Sequence, residues 1–259
     1  MPEPALDIRG VGKDFGGGVL ALQGIDLSVR PGEFVCLLGP SGCGKSTLLN
    51  IAAGFIAPSA GTVLAFGKPV TRPGPDRAMV FQEYALFPWM TVRDNVAFGL
   101  TVRGDPEARR KAGALLAKLS LESFGDRFPK DLSGGMRQRV ALARALAVDA
   151  PMLLMDEPFG ALDALTRRSM QQELLRIWAE LKQTIVFVTH GIEESVTLAD
   201  RVVVFTYRPG TVKEIVELRL PRPRDSASPG FGRALQQLSA LVAEEQLRHE
   251  RDETGLARI

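Results

Sequence analysis

The sequence predicts an α/β fold with a mostly parallel sheet, preceded by an N-terminal antiparallel β-subdomain and interrupted by an inserted helical subdomain. Three observations carry this expectation. The stretch LLGPSGCGKSTLLN (37–50) joins an apolar strand to a helix through a glycine-rich loop. From Met152 onward, short apolar runs alternate with helical stretches, the pattern of a parallel sheet covered by helices. Between about residues 84 and 148 the texture is helical, which reads as an insertion.

Residues 5–29 read as short strands, LDIRGV and LQGIDLSV, around a turn at Gly16–Gly18, since glycine clusters punctuate strands. Phe34–Leu38 is apolar at every position, as burial on both faces of a parallel sheet demands. Ser46–Ala53 reads as helix, and TVLAFG (62–67) and RAMVFQ (77–82) as strands around a Pro-rich turn at 71–76. Thr91–Leu119 is helical with a break near Gly104–Pro106, and a second helix runs from near Ser133 to about Val148. There follow strand Met152–Met155, helix 163–182, strand Ile185–Val188, helix 192–199 and strand Val202–Phe205. LPRPRDSASPG (220–230) reads as an exposed linker into a helix at about 231–250, whose mixed charge gives no sign that the core needs it. The expected division is a main domain over 1–219, its helical part at about 84–148, and a C-terminal linker and helix over 220–259.

Composition narrows the function. The chain has 259 residues, enough for a substantial core, and 45% apolar and 24% charged content, ordinary for a soluble globular protein. With 32 basic and 30 acidic residues the net charge is +2, which gives no case for nucleic acid as the main partner. The two cysteines are Cys36 and Cys43, and a crosslink at Cys43 would obstruct the glycine-rich loop, so reduced thiols are expected. There is no secretory h-region at the N-terminus and no window approaching the roughly 18 apolar residues of a membrane span. Any role at a membrane is expected to run through a partner.

The glycine-rich loop matches G-x-x-x-x-G-K-[ST] at Gly39, Gly44, Lys45 and Ser46, in the strand–loop–helix setting that pattern needs. Its glycines let successive N–H groups curl around an anion, and the helix N-terminus adds its positive end. Lys45 would reach the β- and γ-phosphates of a nucleotide, and the Ser46 hydroxyl would ligate Mg²⁺. A second glycine site, DLSGGMRQRVALARAL (131–146), repeats this logic without a lysine. Ser133 is a good N-cap residue, and Gly134–Gly135 leave N–H groups accessible at a helix start, where they weaken the helix. Then PMLLMDEPFGALD (151–163) ends a buried strand in Asp156, where an NTPase places the acid that holds the Mg²⁺ shell. Glu157, one residue on, is placed to orient an attacking water and accept its proton.

The order GPSGCGKST, Gln82, LSGGM, LLMDEP, ALD and Thr189–His190 resembles the ATP-binding-cassette (ABC) ATPases over about residues 5–217. The resemblance implies a P-loop NTPase core, the ABC nucleotide-binding domain, with ATP and Mg²⁺ as ligands. Gly39, Pro40, Ser41, Gly42, Cys43, Gly44, Lys45, Ser46 and Thr47 would hold the phosphates, with Ser46, Gln82 and Asp156 around Mg²⁺. Phe15 would stack on adenine, Glu157 would position the water, and His190 would contact the γ-phosphate. Ser133, Gly134, Gly135 and Met136 form the signature loop, which in the family serves ATP held by the opposite subunit, and Asp163 lies in the loop facing that subunit. One chain would then carry two anion sites because each ATP is sandwiched head to tail in a homodimer. The sequence departs from the commonest pattern at Met136, where Gln is usual, at Gly191, where Asp is common, and at Phe15, where Tyr is more usual.

LFPWMTVRDNV, EPFGALDALTR and YRPGTVKEIVEL (207–218) resemble the nitrate, sulfonate and taurine branch of bacterial importers. That implies an ATP-hydrolysing subunit peripheral to the cytoplasmic face of the cell membrane. Its partners would be integral-membrane permease subunits and, indirectly, a periplasmic solute-binding protein, without nucleic acid. Tyr84, Leu86, Phe87, Pro88 and Trp89 lie where the family forms the groove for the membrane subunit, although such aromatics also pack inside helical domains. Alternatives are a soluble ABC-type ATPase of repair or translation, which would need inserted coiled coils or a second cassette, and a P-loop kinase, which would need an acceptor pocket and leave LSGGM idle.

Overall fold

The computed structural model describes residues 3–253. The chain divides into two compact units, residues 1–73 with 184–259, and residues 74–183.

The first unit opens with an antiparallel sheet of β1 (Leu6–Asp14), β2 (Leu20–Val29), β4 (Ala60–Ala65) and β5 (Lys68–Pro69), in the order β2-β1-β4-β5. Gly61, at φ 77°, lets β4 close on β1: a Cβ there would stand 2.4 Å from the carbonyl oxygens of Arg9 and Gly10. The same unit holds β3 (Phe34–Leu38), β8 (Thr184–Thr189), β9 (Arg201–Phe205) and β10 (Val212–Glu217), ordered β10-β9-β3-β8. β3 runs parallel to both neighbours, and β10 is the antiparallel edge. Every residue of β3 and of β8 is buried, which is why β3 is apolar throughout and β8 is apolar between its terminal threonines. Register pairs Leu38 with Thr189 and with Val204, so the carboxyl ends of β3, β8 and β9 lie along one edge. In open α/β sheets that edge is where ligands bind. Helix α1 (Lys45–Ala53) packs on β8 and β2, and α6 (Ile192–Leu198) on β3.

The stretch 220–230 is mostly exposed, but two arginines tie it down. Arg222 bonds Asp200 Oδ1 at 2.5 Å and Leu198 O at 2.6 Å, and Arg224 bonds Val196 O at 2.5 Å. Both thereby neutralise the negative carboxyl end of α6. Burial and the Arg222 charge push the Arg224 guanidinium down to about 10. The terminal helix α7 (Pro229–Glu253) buries Phe231, Leu238, Val242 and Glu245 against α6 and β9. The helix thus has a place in the core that its mixed charge does not signal.

The second unit contains the parallel pair β6 (Arg77–Val80) and β7 (Met152–Asp156) and the helices α2 (Val92–Val102), α3 (Ala108–Lys118), α4 (Gly134–Ala147) and α5 (Ala164–Leu181). Helices α2, α3 and α4 pack on one another, and α4 covers β6. Thr91 caps α2 by accepting from the Asp94 N–H, and Asp163 caps α5 by accepting from Leu165 and Thr166. Gly99 of α2 faces Val148 so closely that a Cβ would lie 2.4 Å from its Cγ1.

Candidate nucleotide site

The phosphate loop, residues 39–44, leaves the carboxyl end of β3 and enters α1. Gly42 and Gly44 have φ 75° and 96°, a conformation that L side chains rarely adopt. Gly44 occupies the N-cap of α1 with no side-chain cap, which leaves the first N–H groups of the helix for an anion. A Cβ at Gly44 would stand 2.8 Å from Ala21 O, and one at Gly39 3.2 Å from Phe205 O. Sterics and backbone both demand glycine here. Lys45 is 4% exposed, and its ammonium donates to Gly39 O at 2.7 Å, to Pro40 O at 2.8 Å and to Cys43 Sγ at 3.6 Å. It thus lies folded under the loop, its charge beside the glycine-lined curl. Ser41, Gly42 and Ser46 are exposed, and Thr47 is half-buried. Burial pushes the Cys43 thiol up, and the Cys36 thiol well up, so both remain thiols.

His190 is exposed one residue beyond β8, on the same sheet edge as Gly39. Thr189 Oγ1 donates to Glu194 at 2.5 Å and accepts from the Gly191 N–H at 2.8 Å, which fixes the turn that carries the imidazole. A Cβ at Gly191 would lie 3.3 Å from Glu194 Cβ, so glycine at this departure keeps the turn tight. Phe15 is 55% exposed with Lys13 Nζ 5.1 Å from its ring, available for stacking rather than packed in the core.

In the second unit, Val80 pairs with Met155, so Gln82 and the acids Asp156 and Glu157 emerge from the same strand ends. Asp156 is buried, Glu157 half-buried and Gln82 exposed. Glu157 has φ 41°, left-handed for a non-glycine residue, the kind of strain that gathers at functional sites. Ser133 Oγ accepts from the Met136 N–H at 3.3 Å, capping α4 as its position in the sequence implies. Ser133, Gly134, Gly135 and Met136 line one recess of about 580 Å³ together with Asp163 and Thr166. A Cβ on Gly135 would come 2.6 Å from Thr166 Cγ2 and one on Gly134 3.1 Å from the Tyr84 hydroxyl. Hydrogen bonds from the Thr166 hydroxyl and N–H hold the Asp163 carboxyl below its ordinary range.

Sequence reasoning missed three side chains that support these loops. Asn95, wholly buried, accepts from the Phe87 N–H and donates to the carbonyls of Phe87, Met90 and Thr91. It thereby fixes the aromatic loop that presents Trp89, 71% exposed, and Phe87, half-buried against Phe98. Arg144 of α4 donates to Ala85 O at 2.6 Å and Tyr84 O at 3.2 Å, and Arg137 lies 5.3 Å from the Tyr84 ring centroid. The segment after Gln82 is thus bonded to the helix of the second glycine site. Burial lowers the Arg144 guanidinium. The third is Arg208, whose Nε donates to Gly42 O at 3.1 Å. An arginine on a helix or in a turn carries no sequence signal of the carbonyl it will meet.

The donors expected around a metal, Ser46, Asp156 and Gln82, are a hydroxyl, a carboxylate and an amide. Such all-oxygen sets suit Mg²⁺, which binds through one or two carboxylates plus substrate phosphates.

The ABC transporter family profile matches residues 22–160. A taurine import ATP-binding protein of Chromobacterium violaceum is 50% identical over 225 residues, 86% of this chain and 85% of that protein. A nitrate import ATP-binding protein of Synechocystis is 49% identical over 215 residues, 82% of this chain and 80% of that protein. Among solved structures, cbiO1 of Clostridium perfringens, part of an ABC transporter complex, aligns with TM-score 0.75 and 29% identity over 83% of this chain and 89% of that one. A dimeric ATP-binding cassette in a post-hydrolysis state with ADP and phosphate aligns with TM-score 0.73 and 33% identity, covering 83% and 99%. With its phosphate loop, its strand-end acids and this extent of likeness, the chain belongs to the ABC transporter family, as an ATP-binding subunit with ATPase activity.

Proposed function

We propose that the chain powers uptake of a small solute, of the nitrate, sulfonate or taurine kind, through separate permease subunits at the cytoplasmic face of the membrane. A periplasmic binding protein would deliver the solute. The observation that carries the reading is the recess joining Ser133–Met136 to Asp163, an N–H-rich helix start with no lysine of its own. Such a site can complete the shell of a phosphate held elsewhere, and a second copy of the chain would supply one. Each ATP would lie between the phosphate loop of one copy and the signature loop of the other, as the dimeric cassette with ADP and phosphate supports.

In this reading the N–H groups of residues 41–47 cradle the phosphates, and Lys45 exchanges its bonds to Gly39 O and Pro40 O for phosphate oxygens. Phe15 stacks on adenine. Mg²⁺ would neutralise developing charge on the phosphates, held by Ser46, Asp156 and Gln82. Glu157 orients the water and accepts its proton, and His190 donates to the γ-phosphate. The exposed Trp89 and the half-buried Phe87, on a loop bonded to α4 through Arg144, form the surface on which the permease docks.

The test is copurification: expressed with its native neighbours, the chain should be retained on a polytopic membrane protein, and solute should stimulate its ATPase. A chain that stays free of membranes and hydrolyses ATP at an unchanging rate would refute the transport reading.

A further inference from the structure

We propose that Arg208 is a positioning residue for the phosphate loop, and that the C-terminal helix α7 sets Arg208 through the buried Glu245. A phosphate loop works by turning N–H groups inward. In a trans peptide the C=O and N–H point to opposite sides, so whatever holds a loop carbonyl outward aims the next N–H inward. Arg208 Nε holds Gly42 O at 3.1 Å, which fixes the peptide whose N–H belongs to Cys43. The following carbonyl, Cys43 O, lies so near Gly210 that a Cβ there would stand 2.1 Å from it. Two consecutive peptides of the loop therefore rest on the turn 208–210.

That turn follows β9, whose end shares the sheet edge with the phosphate loop. It is stitched to β2 by Gly210 N–H to Ala21 O at 2.9 Å and Gln23 N–H to Gly210 O at 3.0 Å. Its other side is held by α7. Glu245, 0% exposed, accepts from the Tyr207 N–H at 2.9 Å and from Lys213 Nζ at 2.8 Å, and the Tyr207 ring lies against His249. The chain of contacts runs from α7 through Glu245 to Tyr207, then Arg208, then Gly42. The segment 220–253 is thereby part of the support of the nucleotide site.

This rests on the phosphate loop being the nucleotide cradle, so the experiment carries Lys45→Ala beside the variants of interest. ADP binding to the full chain is titrated by calorimetry, with KM and kcat for ATP and the melting temperature without nucleotide. Arg208 is exposed, so Arg208→Ala should leave the melting temperature unchanged. It should weaken ADP binding about tenfold, the scale of one charge-assisted hydrogen bond, and raise KM for ATP with kcat within about twofold. Arg208→Lys, which keeps a cationic donor, should recover part of the loss. Glu245→Gln should weaken ADP binding in the parent and have little further effect in Arg208→Ala. Lys213→Met tests the same link from β10 should Glu245→Gln fold poorly. ADP affinity within twofold of the parent for Arg208→Ala, with Lys45→Ala unable to bind, overturns the role of Arg208. Additive losses for Glu245→Gln and Arg208→Ala, or for Lys213→Met in its place, overturn the role of α7. Undiminished binding by Lys45→Ala would overturn the cradle assignment itself.

Discussion

Glu157 shows how a single residue is placed against its own preference. Its φ of 41° comes directly after the buried strand β7, and a bulky side chain there costs of order 1–3 kcal/mol. Glu157→Gln preserves shape and backbone, so the fold and ATP binding should persist. Hydrolysis should drop roughly 10²-fold or more, the scale of a positioned base, and ATP should hold two chains together in gel filtration. Turnover at the parent rate would remove Glu157 from the role. At this scale the sequence was most legible where chemistry restricts residue type. Gly42 and Gly44 take the positive φ that the motif's glycines allow, and Lys45 lies folded under the same loop. Arg208 and Arg144 were not legible because their partners are backbone carbonyls distant in sequence, Gly42 O being 166 positions from Arg208, and Asn95 because its bonds to the backbone of residues 87–91 depend on how that loop folds back on α2.

Among the elements, strands β3, β7 and β8 are buried at every position and could be read directly as apolar runs. Strand β10 was missed because only Val216 of its six residues is buried, so neither alternation nor an apolar run marks it. The place of helix α7 in the core was not legible, because Glu245 looks like a solvent residue in sequence whereas the structure buries it beside Lys213. Burial alone would push the Glu245 carboxyl up, yet Lys213 and the Tyr207 N–H hold it below its ordinary range. A lowered folded-state value means stability that is present above the unfolded value of about 4.3 and lost as pH falls through the folded one. Thermal melts should therefore show the docking of α7 weakening below about pH 4.3, with a shallower acid-side slope in Glu245→Gln. Equal slopes would mean the carboxylate contributes nothing. The aromatic loop ahead of α2 gives a second prediction. Trp89 is 71% exposed, so Trp89→Glu should leave folding and basal ATPase intact while abolishing transport in reconstituted vesicles. An insoluble variant would show that the loop belongs to the core after all.

For the molecule as a whole, the two proposed anion sites in one chain would call for a second copy, and Gly135 tests it. In the proposed sandwich, Gly135 lies against the γ-phosphate of the partner copy, where a side chain would separate phosphate from the N–H groups at the start of α4. Each charge-assisted bond lost there is worth roughly 1.5–3 kcal/mol, and Gly135→Asp adds a like charge. The same substitution also meets Thr166 Cγ2 at 2.6 Å within its own chain, so a second version carrying Thr166→Ser separates crowding in cis from repulsion in trans. Both versions should be inactive and yet bind ATP at their own phosphate loops, whereas Lys45→Ala should fail to bind it. Mixing Gly135→Asp with Lys45→Ala then makes dimers in which one composite site carries both lesions and the other carries neither. ATP-dependent association and some ATPase should return on mixing, in part only if the intact site depends on its neighbour. Recovery with Thr166→Ser alone, or full activity of Gly135→Asp as a monomer, would show that the second glycine loop serves its own chain and would end the case for the sandwich.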